Sequence, residues 1–459
     1  MKPQDTLLGT GRIPKALTIA GSDSGGGAGI EADLKTFAAL GVHGLAALTS
    51  ITAQNTLRVE SIQDVRPEMV KAQIESVGED IGVDAAKTGM LHTPEIIRVV
   101  AEIIRKYGFA TVVDPVMVAK SGANLLEPEA IEVLKSKLIP IARVVTPNVL
   151  EAEVLSGVKI VSYDDAVVAA REIAGLGAEA VVVKGGHIHG NRAIDILYVN
   201  GVTRKFEAER LSQNATHGTG CSFSAAIAAE MAKGREIVEA VATAKEIVTE
   251  AIRYGLKIGK GHGPVNPLAG LYKEAEKYSV IRNVSEALGI LERDPNLHLL
   301  IPESQTNLAM ATSYAIDLDD LVAIPGRIVR VGKRVLATAP PEFGASKHVA
   351  ATVLAAKKYD SQIRAAMNIR FSKEILEICQ RMKLTVSFYD RKLEPAEVKL
   401  TEGKTTSWGA ELAIKRIGRV PDVIFHEGDW GKEPMIVILA TNAVELAKSV
   451  QKIAAEYSK

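Results

Sequence analysis

The sequence predicts an α/β protein, with a first domain of mostly parallel sheet covered by helices on both faces and a smaller α/β domain behind it. Three observations predict this. Short β-branched or apolar runs alternate with helical periodicities through the first 270 residues, the pattern of strands joined by crossover helices. Those strands run into Asp23, Gln54, Met90, Asp114, Asn148 and Lys184, and open parallel sheets bind ligands at that carboxyl edge. At 459 residues the chain exceeds a single core, and a turn-rich stretch over 259–267 ends the alternation. The expected division is residues 1–270, a charged helical linker over 271–279, and residues 280–459.

Taken in order, residues 17–20 are a short apolar strand entering a glycine cluster at 21–29. Ile30, Leu34, Phe37 and Ala38 have helical spacing, and Gly41 closes that helix. A second strand covers 45–52 and ends at Ala53-Gln54-Asn55-Thr56. Helices are expected over 69–77, 94–107, 131–138 and 163–176. Between them lie strands at 85–87, 111–113, 144–146 and 180–183. Residues 193–199 and 202–206 read as an antiparallel pair turning at Asn200-Gly201. Residues 214–234, NATHGTGCSFSAAIAAEMAKG, read as a glycine-flanked loop and a helix of small apolar residues, with another helix over 236–254. In the second domain helices are expected at 283–292, 346–358, 373–382, 406–417 and 441–455. Its strands are expected at 328–331, 365–369, 385–389, 423–425 and 435–439. Polar or glycine-rich islands at 307–312, 324–327, 343–348, 405–409 and 427–434 read as loops. Both tryptophans, Trp408 and Trp430, lie in such islands, where a Trp outside the core can wall a ligand.

Lys plus Arg and Asp plus Glu are each 55, so the zero net charge argues against nucleic-acid or membrane-surface binding. Two cysteines, Cys221 and Cys379, build neither a disulfide framework nor a zinc site. No apolar run is long enough to span a membrane, and the opening residues lack a signal-peptide core. A cytoplasmic globular protein is expected.

The loop at 217–221 has the clearest chemistry. Gly218 and Gly220 flank a helix start, where free N–H groups and the helix dipole suit an anion such as a transferring phosphoryl group. Cys221 stands in the first turn, where a thiol pKa tends to fall. An ordinary cap with a buried structural Cys explains the same residues. The glycine cluster at 21–29 lacks the acidic residue of a dinucleotide fingerprint. His187 and His189 are loop histidines without further ligands nearby, and no metal is assigned to them.

The runs ALTIAGSDSGGGAGIEADLKTFAALGVHG, TSITAQNT, KTGML, DPVMVAKSG, TPNVLEAEVLSG, VVVKGGH and THGTGCSFSAAIAA together resemble the phosphomethylpyrimidine kinase family of the ribokinase superfamily. The resemblance implies a three-layer ribokinase-like domain. It also implies ATP- and Mg²⁺-dependent phosphorylation of 4-amino-5-hydroxymethyl-2-methylpyrimidine, first to the monophosphate and then to the diphosphate. It puts Gln54 on the aminopyrimidine edge, with Asp33 and Gly21 as companions and Met90 against the ring. Thr52 stands where relatives are often apolar. Asn148 and Glu151 match the superfamily's N-x-x-E magnesium and phosphate anchor. Lys184 and Thr219 fall to the ATP phosphates and Asp114 to metal or acceptor orientation. Cys221 is closest to the acceptor oxygen, as a base or a steric guide, with Gly218 and Gly220 in the anion hole.

Residues 280–455 resemble the archaeal-type thiamine-phosphate synthase domain. That resemblance implies joining the pyrimidine diphosphate to 4-methyl-5-(2-phosphoethyl)thiazole with release of pyrophosphate. Arg327 is the expected phosphate-gripping residue, His348 the second candidate, and Asp429 a candidate for Mg²⁺ or the aminopyrimidine. The alternative is a non-catalytic module that senses thiamine phosphate. A homodimer is expected from the kinase resemblance, and neither a nucleic-acid nor a membrane partner is expected.

Overall fold

The computed structural model describes residues 12–118, 122, 125–187, 191–211, 215–395, 398 and 404–459. His189, Asn214 and residues 119–121 of the DPVMVAKSG run lie outside them, as does the side chain of His187. The chain divides into two compact units, Met1–Leu271 and Tyr272–Lys459.

In the first unit the strands are β1 (Lys15–Asp23), β2 (His43–Gln54), β3 (Val59–Asp64), β4 (Ala85–Thr88), β5 (Thr111–Val113), β6 (Val144–Val145), β7 (Ala180–Val183), β8 (Arg192–Val199) and β9 (Val202–Glu209). Among the described residues they form one sheet in the order β3-β2-β1-β4-β5-β6-β7-β8-β9. Pairing is parallel from β2 through β7 and antiparallel at both margins. The wholly buried strands TVV and AVVV read as short continuous apolar or β-branched runs because both faces are covered, and β4, AAKT, is wholly buried too. β8 and β9 turn at Asn200 and Gly201, both at positive φ, as the expected hairpin requires.

The helices are α1 (Gly29–Ala39), α2 (Pro67–Asp80), α3 (Pro94–Tyr107), α4 (Pro128–Val133), α5 (Val149–Ser156), α6 (Tyr163–Gly175), α7 (Thr219–Ala232) and α8 (Ile237–Arg253). α1, α7 and α8 cover one face around Phe37, Phe223, Ile227 and Val241. The other five cover the opposite face around Ile74, Ile97, Leu138, Leu155 and Ile173. The result is three layers.

Two elements of this unit were not expected. β3, VESIQD, is an edge strand with no buried residue, so no apolar face marks it. α5 is opened by a capping box. Asn148 Oδ1 accepts the Glu151 N–H at 3.0 Å, and Glu151 Oε2 accepts the Asn148 N–H at 2.8 Å.

The second unit departs further from expectation. Helix α9 (Ala269–Glu292) runs continuously through the expected linker. Lys273 pairs with Asp320 at 2.8 Å, and Glu276 accepts the Ser313 N–H at 2.7 Å, so 272–279 pack within the second unit. The strands are β10 (Leu308–Ala311), β11 (Leu321–Ala323), β12 (Ile328–Val331), β13 (Arg334–Ala337), β14 (Glu342–Phe343), β15 (Ala365–Arg370), β16 (Val386–Phe388), β17 (Val423–His426) and β18 (Met435–Ala440). The main sheet runs β14-β11-β10-β15-β18-β17-β16, with β12 and β13 a separate hairpin. Only β16 and β17 pair parallel among the described strands of this unit. The island at 307–312 is instead the fully buried strand β10, since LAMA is apolar between its polar flanks. The island at 405–409 lies inside the helix Lys404–Ile417, in keeping with the helix expected over 406–417. Among the described residues no helix is long and apolar enough to cross a membrane.

Candidate active site

Two loops meet over the carboxyl edge of the first sheet, and the carboxylate of Asp23, the last residue of β1, ties them together. It accepts the N–H groups of Gly25 at 2.8 Å, Gly27 at 3.0 Å and Ala28 at 2.9 Å. His217 Nε2 lies 2.8 Å from its Oδ2. Burial raises the Asp23 carboxyl, but the His217 contact and the amides of Gly25 and Gly27 hold it below its ordinary value. Gly218 has φ of 78°, and a Cβ there would fall 1.8 Å from the Gly27 carbonyl oxygen. Only glycine permits both the left-handed backbone and that approach.

Gly21, Gln54, Met90 and Cys221 line one pocket together with Asp23, Lys87 and His217. Gln54 Nε2 lies 3.3 Å from His217 Nε2. Thr52 donates its hydroxyl to the Ser22 carbonyl at 2.9 Å, which fastens β2 to the glycine loop and gives that side chain a structural task. Asp33 does not line this pocket. It is fully buried, with Oδ2 accepting from Lys87 Nζ at 2.8 Å and from Thr18 Oγ1 at 2.6 Å. Lys87 lines the pocket without being expected from the sequence, whereas Asp23 stands among the strand-end residues and His217 opens the 217–221 loop, with no role given to either side chain. The KTGML and THGTGC runs contain Lys87 and His217, but only folding shows which side chains turn inward.

α7 begins directly beside the pocket, with Gly218 as its N-cap and Thr219, Gly220 and Cys221 in its first turn. First-turn amides lack intrahelical acceptors and point outward along the positive end of the dipole. The Thr219 hydroxyl donates to the Thr216 carbonyl at 2.7 Å, so it shapes the turn. A Cβ on Gly220 would stand 3.2 Å from Lys184 Nζ and 3.8 Å from Asp114 Oδ2. The first turn of α7 and the cation are therefore adjacent. Lys184 pairs with Asp114 Oδ1 at 2.9 Å. Burial would lower the Lys184 ammonium, but Asp114 and Glu151 hold it above its ordinary value.

Cys221 reverses one expectation. Burial pushes its thiol up to about 11, with Asp33 and Asp114 opposing the thiolate and Lys87 only partly offsetting them. Desolvation outweighs the helix terminus here, so the group is a thiol at neutral pH.

Burial also pushes Glu151 up to about 7 against the pull of Lys184, with Asp114 adding to the rise. A carboxyl with a folded pKa above its unfolded value of 4.5 stabilises the fold at low pH and loses that contribution as pH rises through the folded value. Urea unfolding in nucleotide- and metal-free buffer should therefore show stability falling between pH 4.5 and 7.5, by up to about 3 kcal/mol. Glu151→Gln, which keeps the capping box, should flatten that fall; an unchanged slope would refute the assignment.

Asp114 and Glu151 face the same ammonium, and Mg²⁺ is commonly held by one or two carboxylates plus substrate phosphates. The donor set fits that ion. Among the described residues no three or more His, Cys, Asp or Glu side chains group to enclose a metal unaided.

In the second unit the strand register brings two of the expected residues to one edge. Arg327 follows β11 and Asp429 follows β17, and these strand ends share one edge of the sheet. His348 opens the helix His348–Lys357, beyond Gly344, whose N–H donates to the carbonyl of Leu321 at the start of β11. Arg327 has φ of 90° and donates to the Ser304 carbonyl. Glu433 accepts the N–H groups of Glu303 at 2.8 Å and Ser304 at 3.0 Å, which draws the 427–434 loop toward Arg327. Trp408 packs edge-on against Tyr389, with ring centroids 5.9 Å apart. Trp430 is 99% exposed and walls no pocket among the described residues.

Comparison with known proteins adds to this geometry. The family model described as phosphomethylpyrimidine kinase matches residues 23–266, and that described as thiamine-phosphate synthase ThiN matches residues 283–452. The hydroxymethylpyrimidine/phosphomethylpyrimidine kinase of Bacillus subtilis (strain 168) is 48% identical over 259 residues, 56% of this chain and 96% of the relative. The thiamine biosynthesis bifunctional protein ThiED of Geobacter sulfurreducens is 49% identical over 54% of this chain and 51% of the relative. Among solved structures, an ADP complex of Bacillus subtilis pyridoxal kinase matches with TM-score 0.54 and 42% identity, over 57% of this chain and 99% of that one. The Staphylococcus aureus pyridoxal kinase with AMP-PCP and pyridoxal matches with TM-score 0.52 and 38% identity, over 56% and 94%.

Proposed function

Because the chain belongs to the phosphomethylpyrimidine kinase family through residues 23–266, we propose that its first unit uses ATP to phosphorylate 4-amino-5-hydroxymethyl-2-methylpyrimidine and then its monophosphate. The second unit, matched as a thiamine-phosphate synthase, joins the resulting diphosphate to 4-methyl-5-(2-phosphoethyl)thiazole, giving thiamine phosphate and pyrophosphate. The observation that carries the reading is the adjacency of the Gln54–Met90 pocket to the amides of α7 and to Lys184.

Gln54 offers a donor and an acceptor to the ring edge, as an amide does to adenine. Met90 supplies a soft apolar contact at the pocket wall. The α7 amides and Lys184 hold the charge that gathers on the transferring phosphoryl group, the main demand of such a reaction. Asp114 and Glu151 would hold the Mg²⁺ that accompanies ATP and neutralises phosphate charge. In the second unit Arg327 grips diphosphate oxygens, and Asp429 serves Mg²⁺ or the aminopyrimidine.

Cys221, a thiol at neutral pH, guides the acceptor oxygen by contact. Cys221→Ala should therefore slow both transfers by a similar factor, roughly tenfold each, about 1.4 kcal/mol of transition-state stabilisation. The kinetics are measured with the alcohol and the monophosphate separately. A loss confined to the alcohol would restore the base role.

The overall reading is tested by incubating the whole chain with the hydroxymethylpyrimidine, ATP, Mg²⁺ and the thiazole phosphate. Thiamine phosphate is the expected product. Diphosphate accumulating alone would leave a sensing module in the second unit, and turnover of pyridoxal in place of the pyrimidine would overturn the substrate assignment.

A further inference from the structure

The pocket holds a cation that the reading above leaves unused. Lys87, in β4, is fully buried, and its Nζ lies 2.8 Å from Asp33 Oδ2. An ammonium carries three N–H donors. Among the described residues Asp33 is its only hydrogen-bond acceptor, although Lys87 lines the pocket beside Cys221. Gly89 makes room for it, since a Cβ there would lie 2.7 Å from Nζ. Burying an ammonium with donors unspent is costly, and a buried ion pair can often be replaced by packed apolar groups without loss of stability. Fold stability therefore does not account for this pair, whereas an anion entering the pocket does.

The two acceptors of the kinase reading differ in just that respect. The alcohol is neutral, while the monophosphate brings a charge of about −1.5 to −2 to the same end of the ring. We propose that Lys87 reads the phosphate of the second acceptor, its spare N–H donors binding a monoester oxygen and so setting the enzyme's preference between alcohol and monophosphate. Asp33 holds the ammonium in place from beneath, and Lys184, beside Gly220, is left to the nucleotide. The inference rests on the kinase reading and specifies its acceptor side.

The test uses the full chain carrying Lys87→Met together with Asp33→Leu, which removes both charges and strands neither. At saturating ATP, KM for the monophosphate should rise about 30-fold, and KM for the alcohol should rise far less. An equal rise for both acceptors, or a rise in KM for ATP alone, would overturn the assignment. Should the double variant fail to fold, a crystal structure of the wild-type protein with the monophosphate decides. A phosphate oxygen within hydrogen-bond distance of Lys87 Nζ supports the assignment, and a phosphate seated on Lys184 with Lys87 untouched refutes it. A wild-type protein that phosphorylates neither acceptor would sink the kinase reading; calorimetric affinities of the alcohol and the monophosphate, taken without nucleotide, would still judge Lys87.

Discussion

Lys184→Met should lower kcat for both phosphoryl transfers by about 10³-fold with little change in KM for the pyrimidine. Lys184 stands 3.2 Å from where a Gly220 Cβ would be, at the turn proposed to receive the phosphoryl group. Its charge therefore acts on an anion that grows in the transition state and is weaker in the ground state. Preorganised donors of this kind account for roughly 10²–10³ in rate when one is removed, and a full charge stands at the upper end. The substitution also strands Asp114, which is 3% exposed. Breaking a buried pair from one side costs about 3–5 kcal/mol, so urea unfolding should register a loss near the lower figure. Pairing the change with Asp114→Asn should restore stability without restoring rate. A rate within tenfold of wild type would show that Lys184 serves the fold alone.

Gly218→Ala should abolish more than 99% of kinase turnover, by the same mechanism that sets a lower limit on loop distance: a methyl group 1.8 Å from the Gly27 carbonyl oxygen cannot be accommodated. The left-handed φ of 78° adds roughly 1–2 kcal/mol of backbone strain for a residue with Cβ. The two loops must part, taking the α7 amides away from Lys184 and His217 away from Asp23. Formation of thiamine phosphate from supplied pyrimidine diphosphate and thiazole phosphate serves as the internal control and should persist. Kinase activity above one tenth of wild type would mean that the loops tolerate separation.

Much of the first unit is legible because its physics is local. Val112, Val144 and Val181 sit in runs too short and too apolar to be anything but covered strands, and Asn200-Gly201 dictates its own turn. β3 is illegible for the converse reason, having no buried face. Val149–Ser156 escapes because its apolar residues follow a strand end without a clear stripe, although the Asn148 and Glu151 pattern was present to announce a helix start. In the second unit the helix expected over 406–417 is present as Lys404–Ile417, with Trp408 packed edge-on against Tyr389.

The site divides along similar lines. Gln54, Met90, Lys184 and Cys221 can be named because the family motifs that carry them imply their roles. Asp33 cannot be placed without its partner: in sequence it is a carboxylate near a binding loop, while in three dimensions it belongs to Lys87, 54 positions away. The Cys221 thiol shows the same limit in electrostatics. Its helix terminus is visible in sequence, but the desolvation that overrides it is a property of everything packed around it.

The contact between Gly218 and the Gly27 carbonyl has a consequence for how this molecule can diverge. A side chain at 218 is blocked by the main-chain carbonyl of Gly27, which cannot be mutated away, whereas one at 27 would meet the side chains of His217 and Pro264. The two segments lie 191 positions apart in the sequence, so acceptor preference is open to change through the pocket walls, Thr52, Gln54, Lys87 or Met90, or by a paired shift of both backbones. Directed evolution that randomises the 217–221 loop by itself should return glycine at 218, while libraries spanning the pocket walls should be the ones that yield new acceptors.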